Sequence, residues 1–303
     1  MSKIRLPGRA ARLVSGVLAF LLMLTLTSTC LAWQVNRVAT DSDLHGEIAT
    51  DSRITAMQME RVRQRVAELA GEYHFREETA MQFITEESLA EYSREVIAWW
   101  MGLLGENPET EAPQWDTSEL EQAIREDALF QEHTPANMRR TTARDLIAYE
   151  IGMEINRAVL PVRSDILSIA MPKVLEKVAV PVYMRYLAMV PILCAGASAV
   201  LALLILLATL RRASKAARYI GIALAAAALC IVTVGVVVYL LDITGMIGEI
   251  STLLAAQVSL LTKRVALQSG LFAAGCLAAG LALIALHQKD MRRLYRIRRS
   301  VQA

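Results

Sequence analysis

Two long stretches of this sequence contain no charged residue and no histidine. Residues 186–210 and residues 219–241 lack Asp, Glu, Lys, Arg and His altogether. A helix needs ~20 apolar residues to cross the hydrocarbon core of a bilayer, so each stretch is long enough to span it. A soluble core helix is rarely apolar on every face over such a length. The absence of charge therefore excludes an ordinary soluble protein and predicts a membrane hairpin of two helices.

Cysteine is scarce, and the large polar part of the chain has none. The four cysteines fall one in each apolar run, and residues 34–185 contain neither cysteine nor an Asn-x-Ser/Thr sequon. No CxxC pair occurs, which excludes a redox pair or a zinc knuckle of that type. An exported segment without disulfides or sequons is typical of bacteria, and we expect a bacterial cell membrane. The cysteines are Cys30, Cys194, Cys230 and Cys276.

The common catalytic motifs are also missing. The sequence has no HExxH, GxSxG, SxxK, Walker A or GxGxxG pattern. We therefore expect a protein that is not an enzyme, with no catalytic, cofactor-binding or metal residue and no cofactor. Ion and proton pathways usually leave ionisable groups at membrane depth, so the uncharged spans also argue against a transporter.

The charges that are present are segregated along the chain. Of the 30 acidic residues, 27 lie within residues 34–185, which hold only 16 of the 32 cations, so this segment has a net charge of −11. The other cations concentrate in residues 1–12, 211–218 and 287–303. Short cationic flanks stay in the cytoplasm. The charge pattern therefore predicts that both termini and the 211–218 loop are cytoplasmic, and that the acidic segment is extracytoplasmic.

Four membrane spans follow from this pattern, at residues 13–33, 186–210, 219–241 and 265–286. The first reaches full spanning length, which favours an uncleaved signal anchor. Cleavage after Ala32 as a signal peptide is the alternative, because Cys30-Leu31-Ala32 has the small-x-small pattern. The fourth span carries small residues that predict close helix contact. They are Gly270, Ala274, Gly275, Ala278 and Ala279.

The acidic segment, residues 34–185, is long enough to bury a core of its own and shows helical periodicity. The first stripe at i+3/i+4 spacing is Met59, Val62, Val66, Leu69 and Tyr73. The second helix is predicted from about Glu86 to Leu104, with Gly105 ending it. Its inward positions are Leu89, Val96, Ile97, Trp100, Leu103 and Leu104. No alternating β-branched run appears, so we predict an all-α domain.

Capping patterns predict where the third and fourth helices of this domain begin. Ser118 and Glu121 predict a capping box for a third helix that ends near Glu132. Thr134-Pro135 predicts the start of a fourth helix. The stripe of the fourth helix is Ile147, Ile151, Ile155 and Val159.

Four prolines then interrupt the chain, at Pro161, Pro172, Pro181 and Pro191. Each is expected to bend or end a helix. Residues 161–185 are therefore predicted to be a jointed helical neck that holds the acidic body away from the membrane. Residues 242–264 return to the outer side and are predicted to form a short amphipathic helix. Its apolar face is Ile247, Ile250, Leu254, Val258 and Leu261.

Two patterns suggest a metal site, each with a simpler interpretation. Residues 41–48 follow the opening of an EF-hand loop, with Asp41, Asp43 and Gly46 in place, but Ser52 stands where the bidentate Glu is needed. A helix-capping stretch explains the same residues. The exported segment also has three separated histidines, whose commoner fate is surface solvation. They are His45, His74 and His133.

Tryptophan offers one possible contact face. Trp100 lies on the buried stripe of the second helix, so Trp99 points about 100° away from it. Trp99 and Trp115 are interpreted either as a partner-binding face or, preferably, as packing between helices.

These patterns together predict an all-α integral membrane protein with four transmembrane helices and a helical extracytoplasmic domain between the first and the second. We expect non-enzymatic binding, sensing or scaffolding through a membrane protein partner or a homo-oligomer in the lipid bilayer, and no nucleic acid partner. A transport or channel subunit is the first alternative. A surface enzyme that uses His74 or His133 with carboxylates is the second.

Overall fold

The structure is a computed structural model that describes residues 8–104, 113–133, 140–160, 180–209, 213–240 and 251–302. Every regular element in these ranges is an α-helix, and they contain no strand, as the sequence predicts. The helices are α1 Gly8–Thr40, α2 Ser42–Ala49, α3 Ser52–Tyr73, α4 Glu77–Met81, α5 Glu86–Leu104, α6 Ser118–Glu126, α7 Ala128–His133, α8 Arg140–Val159, α9 Val180–Ala208, α10 Ala213–Leu240 and α11 Thr252–Gln302.

Four of these helices are long and apolar enough to cross a membrane. They are α1, α9, α10 and α11, whose apolar stretches have mean hydropathies between 2.0 and 2.7. Pro191 lies inside α9 and does not end it, since proline is tolerated in apolar helices whose neighbours re-satisfy the backbone. At most 28% of each apolar stretch is buried within the chain. Most of this apolar surface is therefore available to lipid or to other proteins.

The chain divides into two compact units. The first, called the span unit, comprises described residues up to Ala39, from Met184 to Ile243 and from Thr262 onward. The second, called the helical domain, comprises those from Thr40 to Tyr183 and from Thr244 to Leu261.

The helical domain is built around α3, α5, α6 and α8. The stripes predicted on α3 and α8 meet in one core, where Val62, Val66, Leu69, Ile151 and Ile155 are at most 1% exposed. Leu89 and Val96 of α5 join the same core. The predicted stripes are therefore confirmed at these positions.

A buried polar network fixes three of these helices. The Gln58 side chain donates from Nε2 to the Val159 carbonyl at 2.6 Å. The Ser93 hydroxyl donates to Gln58 Oε1 at 3.2 Å, and both side chains are fully buried. Arg61 donates to the carbonyls of Ala158 and Leu160 and so satisfies acceptors at the end of α8.

The predicted third helix is wrong in its extent and its cap. It is two helices, α6 and α7, because Asp127 has extended backbone and uses its side chain to accept from the Leu129 and Phe130 amides. At the start of α6 the helix cap is Thr117, and its hydroxyl engages Glu121. The Ser118 amide donates to Asp116 instead, so the predicted Ser118–Glu121 box does not form.

Within residues 251–264, the described part of the outer segment, the predicted amphipathic face is displaced. Leu254 is 37% exposed, whereas Leu253 and Ala256 are buried against Ile54 and Met57 of α3. The buried face follows the contact with α3 and is rotated by one residue from the predicted face. This helix then continues without a break to Gln302.

The span unit is held by close packing of small residues and by a polar contact between α9 and α1. Gly221 of α10 and Gly280 of α11 approach so closely that a Cβ on either would lie 2.7 Å from the other's carbonyl oxygen. The Ser198 hydroxyl of α9 donates to Thr25 Oγ1 of α1 at 2.9 Å. Cys30 and Cys276 pack in one cluster with Ala228, Ile231 and Ala273, and both remain free thiols.

The small residues predicted to make close contact in the fourth span are not the ones that do. Nothing outside α11 lies within 4 Å of a Cβ placed at Gly270 or Gly275, and Ala274, Ala278 and Ala279 are exposed. The helix instead turns Ala273, Cys276 and Gly280 inward. Packing against α10 therefore uses the opposite side of the same small-residue run.

Several sequence predictions fall outside the described residues. They are the helix stop at Gly105, the cap at Thr134-Pro135, residues 161–179 of the neck and residues 242–250 of the outer segment.

Candidate functional site

The EF-hand-like stretch is a helix cap. Asp41 is the N-cap of α2, and its Oδ1 accepts from the Leu44 amide at 2.9 Å. Asp51 caps α3 in the same way through the Arg53 amide. Both carboxylates therefore satisfy backbone donors at helix starts, where a negative charge is stabilising.

Two of the three predicted histidines meet at the surface. The rings of His74 and His133 stack with centroids 4.5 Å apart and an interplanar angle of 32°. His74 occupies the left-handed region at the end of α3, with φ of 57°, a region where His is commoner than most residues. His133 Nδ1 lies 3.0 Å from the Leu129 carbonyl oxygen, so it carries the proton, and Nε2 is the acceptor in the neutral ring.

This pair does not form a metal centre within the described ranges. No group of three or more His, Cys, Asp or Glu side chains in them is placed to hold an ion. The pair lies on the exposed side of the helical domain, and His45 is not part of it. The arrangement is a surface ring stack that joins the end of α3 to the end of α7.

Among the described titratable groups of the helical domain, Asp127 has the largest shift in pKa. Its carboxylate is fully buried and accepts from Thr79 Oγ1 at 2.7 Å and from Arg76 Nε at 2.9 Å. Burial by itself would raise the pKa of Asp127, but these bonds and two backbone amides outweigh it and lower the pKa to about 2. The carboxylate has no free lone pair directed at a substrate, so its role is to join α4, α6 and α7.

The tryptophans mostly pack against the core. Trp100 and Trp115 lie against the buried cluster, and Trp115 meets Tyr92 edge to face at 5.3 Å. Trp99 packs edge to face on Trp100 at 5.0 Å and is only partly exposed. The packing interpretation therefore holds for Trp100 and Trp115.

The feature that the periodicity analysis missed is a second apolar stripe on α8. Leu146, Tyr149 and Met153 lie at i, i+3 and i+7 on that helix, so they share one face. Their exposed fractions are 67%, 53% and 37%. The opposite face carries the buried stripe of Ile151, Ile155 and Val159. The missed signal was that α8 is apolar on two faces.

Charged groups border this exposed α8 stripe. Asp145 pairs with Arg125 at 3.0 Å, and Glu154 pairs with Arg65 at 2.8 Å. The hydrogen bond from Arg65 lowers the pKa of Glu154, with the positive charges of Arg65 and Arg157 adding to it. The exposed α8 stripe is therefore an apolar strip bordered by charged groups that are held in hydrogen bonds.

Comparison of the chain with protein-family models, with curated proteins and with solved structures returns no match.

Proposed function

We propose that this is a multi-pass membrane protein whose helical domain binds a partner protein without doing chemistry on it. The exposed α8 stripe of Leu146, Tyr149 and Met153 carries the proposal. A soluble surface tolerates scattered apolar side chains, whereas three on one face of one helix with a charged rim favour a contact site. Tyr and Met are also enriched at such sites.

The proposed topology places both termini and the 211–218 loop in the cytoplasm and the helical domain outside. The segregated cations support it. The loop at residues 211–218 is too short to hold a large cytoplasmic domain. A partner bound at the α8 stripe would therefore be held in a scaffold, or its binding would be signalled through the spans to another membrane protein. The outward-facing apolar surface of those spans suits contact with a second membrane protein or a second copy.

The topology is tested with an impermeant thiol reagent on whole cells. Lys215→Cys and Gln122→Cys both place a thiol at an exposed position, and the native thiols lie in apolar helices. We expect labelling of the variant at residue 122 and protection of the variant at residue 215 until the cells are opened. The reverse pattern would invert the protein and remove the proposal.

The binding role is tested by photo-crosslinking in intact cells. A photoreactive phenylalanine analogue replaces Tyr149 in one strain and Gln122, which is exposed on α6, in a control strain. We expect a discrete protein adduct only from the position on α8, and its mass tells a second copy from another protein. Leu146→Ser with Met153→Ser should abolish the adduct without unfolding the domain, because both side chains are exposed. Adducts with lipid alone, or equal adducts from both positions, would refute the docking role.

A further inference from the structure

The antiparallel helices α10 and α11 stay in contact from their closest approach to the end where α11 becomes basic. Gly221 packs on Gly280, and seven residues further along each helix Ser214 Oγ lies 2.9 Å from His287 Nδ1. Seven helical residues rise about 10.5 Å on either helix, so the two contacts define a straight, continuous seam. Beyond His287, α11 continues past Ala213, the first described residue of α10, and carries its basic segment.

A groove of about 840 Å³ lies along this seam. Its apolar part comes from Ile222 of α10 with Ile284 and Met291 of α11. Its polar part comes from arginines on both helices together with imidazole, amide and phenol groups. These polar residues are Arg218, His287, Gln288, Arg292, Tyr295 and Arg296.

The three arginines of the groove have no counter-charge of their own. Within the described ranges, no ion pair or hydrogen bond is recorded for the side chains of Arg218, Arg292 or Arg296. All three are exposed. Three unpaired guanidinium groups around one groove favour an anionic occupant, and planar guanidinium suits a phosphate in particular.

We propose that this groove binds an anionic phospholipid. The headgroup phosphate is held by Arg292 and Arg296, which lie one turn apart on α11, and the start of an acyl chain lies along Ile222 and Ile284. Arg218 lies one turn from Ile222 on α10 and adds positive charge beside this apolar wall. Tyr295 supplies an aromatic ring with a polar tip at headgroup level. The arginines would bind either a free phosphate or a lipid headgroup phosphate. The apolar wall beside them favours the lipid, because only a lipid has an acyl chain to place there.

If the cations after the last span only set the orientation of the protein, their positions around the helix would not matter. Lys289 and Arg293 belong to the same basic segment but do not line the groove. The proposal needs the spans to lie in a bilayer, but it does not depend on partner binding at the α8 stripe.

The test uses the full-length protein, purified in detergent, depleted of lipid and titrated with phosphatidylglycerol under native mass spectrometry. Each neutralised cation should weaken binding about fivefold, so Arg292→Gln with Arg296→Gln should bind about 25-fold more weakly. The matched control is Lys289→Gln with Arg293→Gln, which removes the same charge from positions outside the groove. That control should change binding less than about twofold. Helicity by circular dichroism shows that both variants are folded.

Two further probes separate a lipid site from a phosphate site and from diffuse attraction. Phosphatidylcholine should not compete, and inorganic phosphate should displace phosphatidylglycerol only weakly, because it lacks the acyl chain. Displacement by inorganic phosphate at equal concentration would overturn the lipid assignment. Equal losses in the two double variants would show that the basic segment acts only through its total charge, and the groove would then not be a site.

Discussion

Asp127→Asn is the sharpest test of how the helical domain is held together. The carboxylate of Asp127 is fully buried, and one oxygen accepts from both Thr79 and Arg76. An asparagine keeps one acceptor oxygen for the Leu129 and Phe130 amides but turns an N–H₂ group toward these two donors. The change therefore leaves the Arg76 Nε–H facing another donor, and the Thr79 hydroxyl loses a charged acceptor, which costs free energy.

The size of the effect follows from the pKa. Its fall from 3.8 to about 2 corresponds to about 2 kcal/mol of preference for the folded domain when the group is ionised. Since Arg76 is 60% exposed, its part of this is screened by solvent. Most of the loss in the variant should come from the buried bond to Thr79 and from the missing charge that strengthens the retained amide bonds.

Hydrogen–deuterium exchange of the full-length protein in detergent measures this loss locally. Peptides covering residues 118–133 should exchange about 30-fold faster in Asp127→Asn than in the native chain, which is about 2 kcal/mol of opening free energy. The control is Asp145→Asn, since the Arg125–Asp145 pair is 37% and 53% exposed and should contribute little.

The lowered pKa also predicts how the stabilisation by Asp127 changes with pH. The pKa of Asp127 is lower in the folded domain than in the unfolded chain, so its stabilisation is full above pH about 4 and is lost as the pH falls through about 2. The native chain and Asp127→Asn should therefore differ at pH 7 and converge near pH 2. Equal exchange at pH 7, or an equal difference at both pH values, would refute the reasoning.

Two other substitutions test the packing of each unit. Gln58→Ala removes the bond to the Val159 carbonyl inside the core and should cost about 3 kcal/mol, seen as faster exchange in α3 and α8, whereas the exposed Gln64→Ala should change little. Gly221→Ala puts a Cβ 2.7 Å from a carbonyl of α11, so overpacking should cost about 1–3 kcal/mol and lower the thermal midpoint in detergent. Gly275→Ala meets nothing within 4 Å and should leave it unchanged.

The sequence predicts the helices well where one apolar face dominates. The second helix begins at its predicted residue Glu86 and is helical as far as Leu104, the last described residue there, and the stripes of α3 and α8 reach the core. Periodicity works here because a helix with a single apolar face has only one way to bury it. Such a pattern identifies the element and its inward side without knowledge of the neighbours.

The errors occur where a neighbour decides between equivalent faces. Around Gly275 small residues cover several sides of the helix, and only the Gly221 contact selects Gly280 as the packed position. From the sequence, Asp127 is an ordinary polar residue within one helix. Its special position becomes evident only from its hydrogen bonds with Thr79 and Arg76. Both cases depend on residues more than 45 positions away, which local spacing does not encode.

The six cations after residue 286 contribute both to the proposed membrane orientation and to the proposed lipid groove, and the two roles can be separated. Orientation depends on how many cations follow the last span, whereas the lipid groove depends on where they stand. Arg296→Gln and Arg293→Gln each remove one cation, but only Arg296 lines the groove. Thiol labelling at residues 122 and 215 should stay as in the native chain in both variants, while phosphatidylglycerol binding falls about fivefold only in Arg296→Gln. If both variants lost lipid binding equally, position would not matter, and the cations would act by number alone.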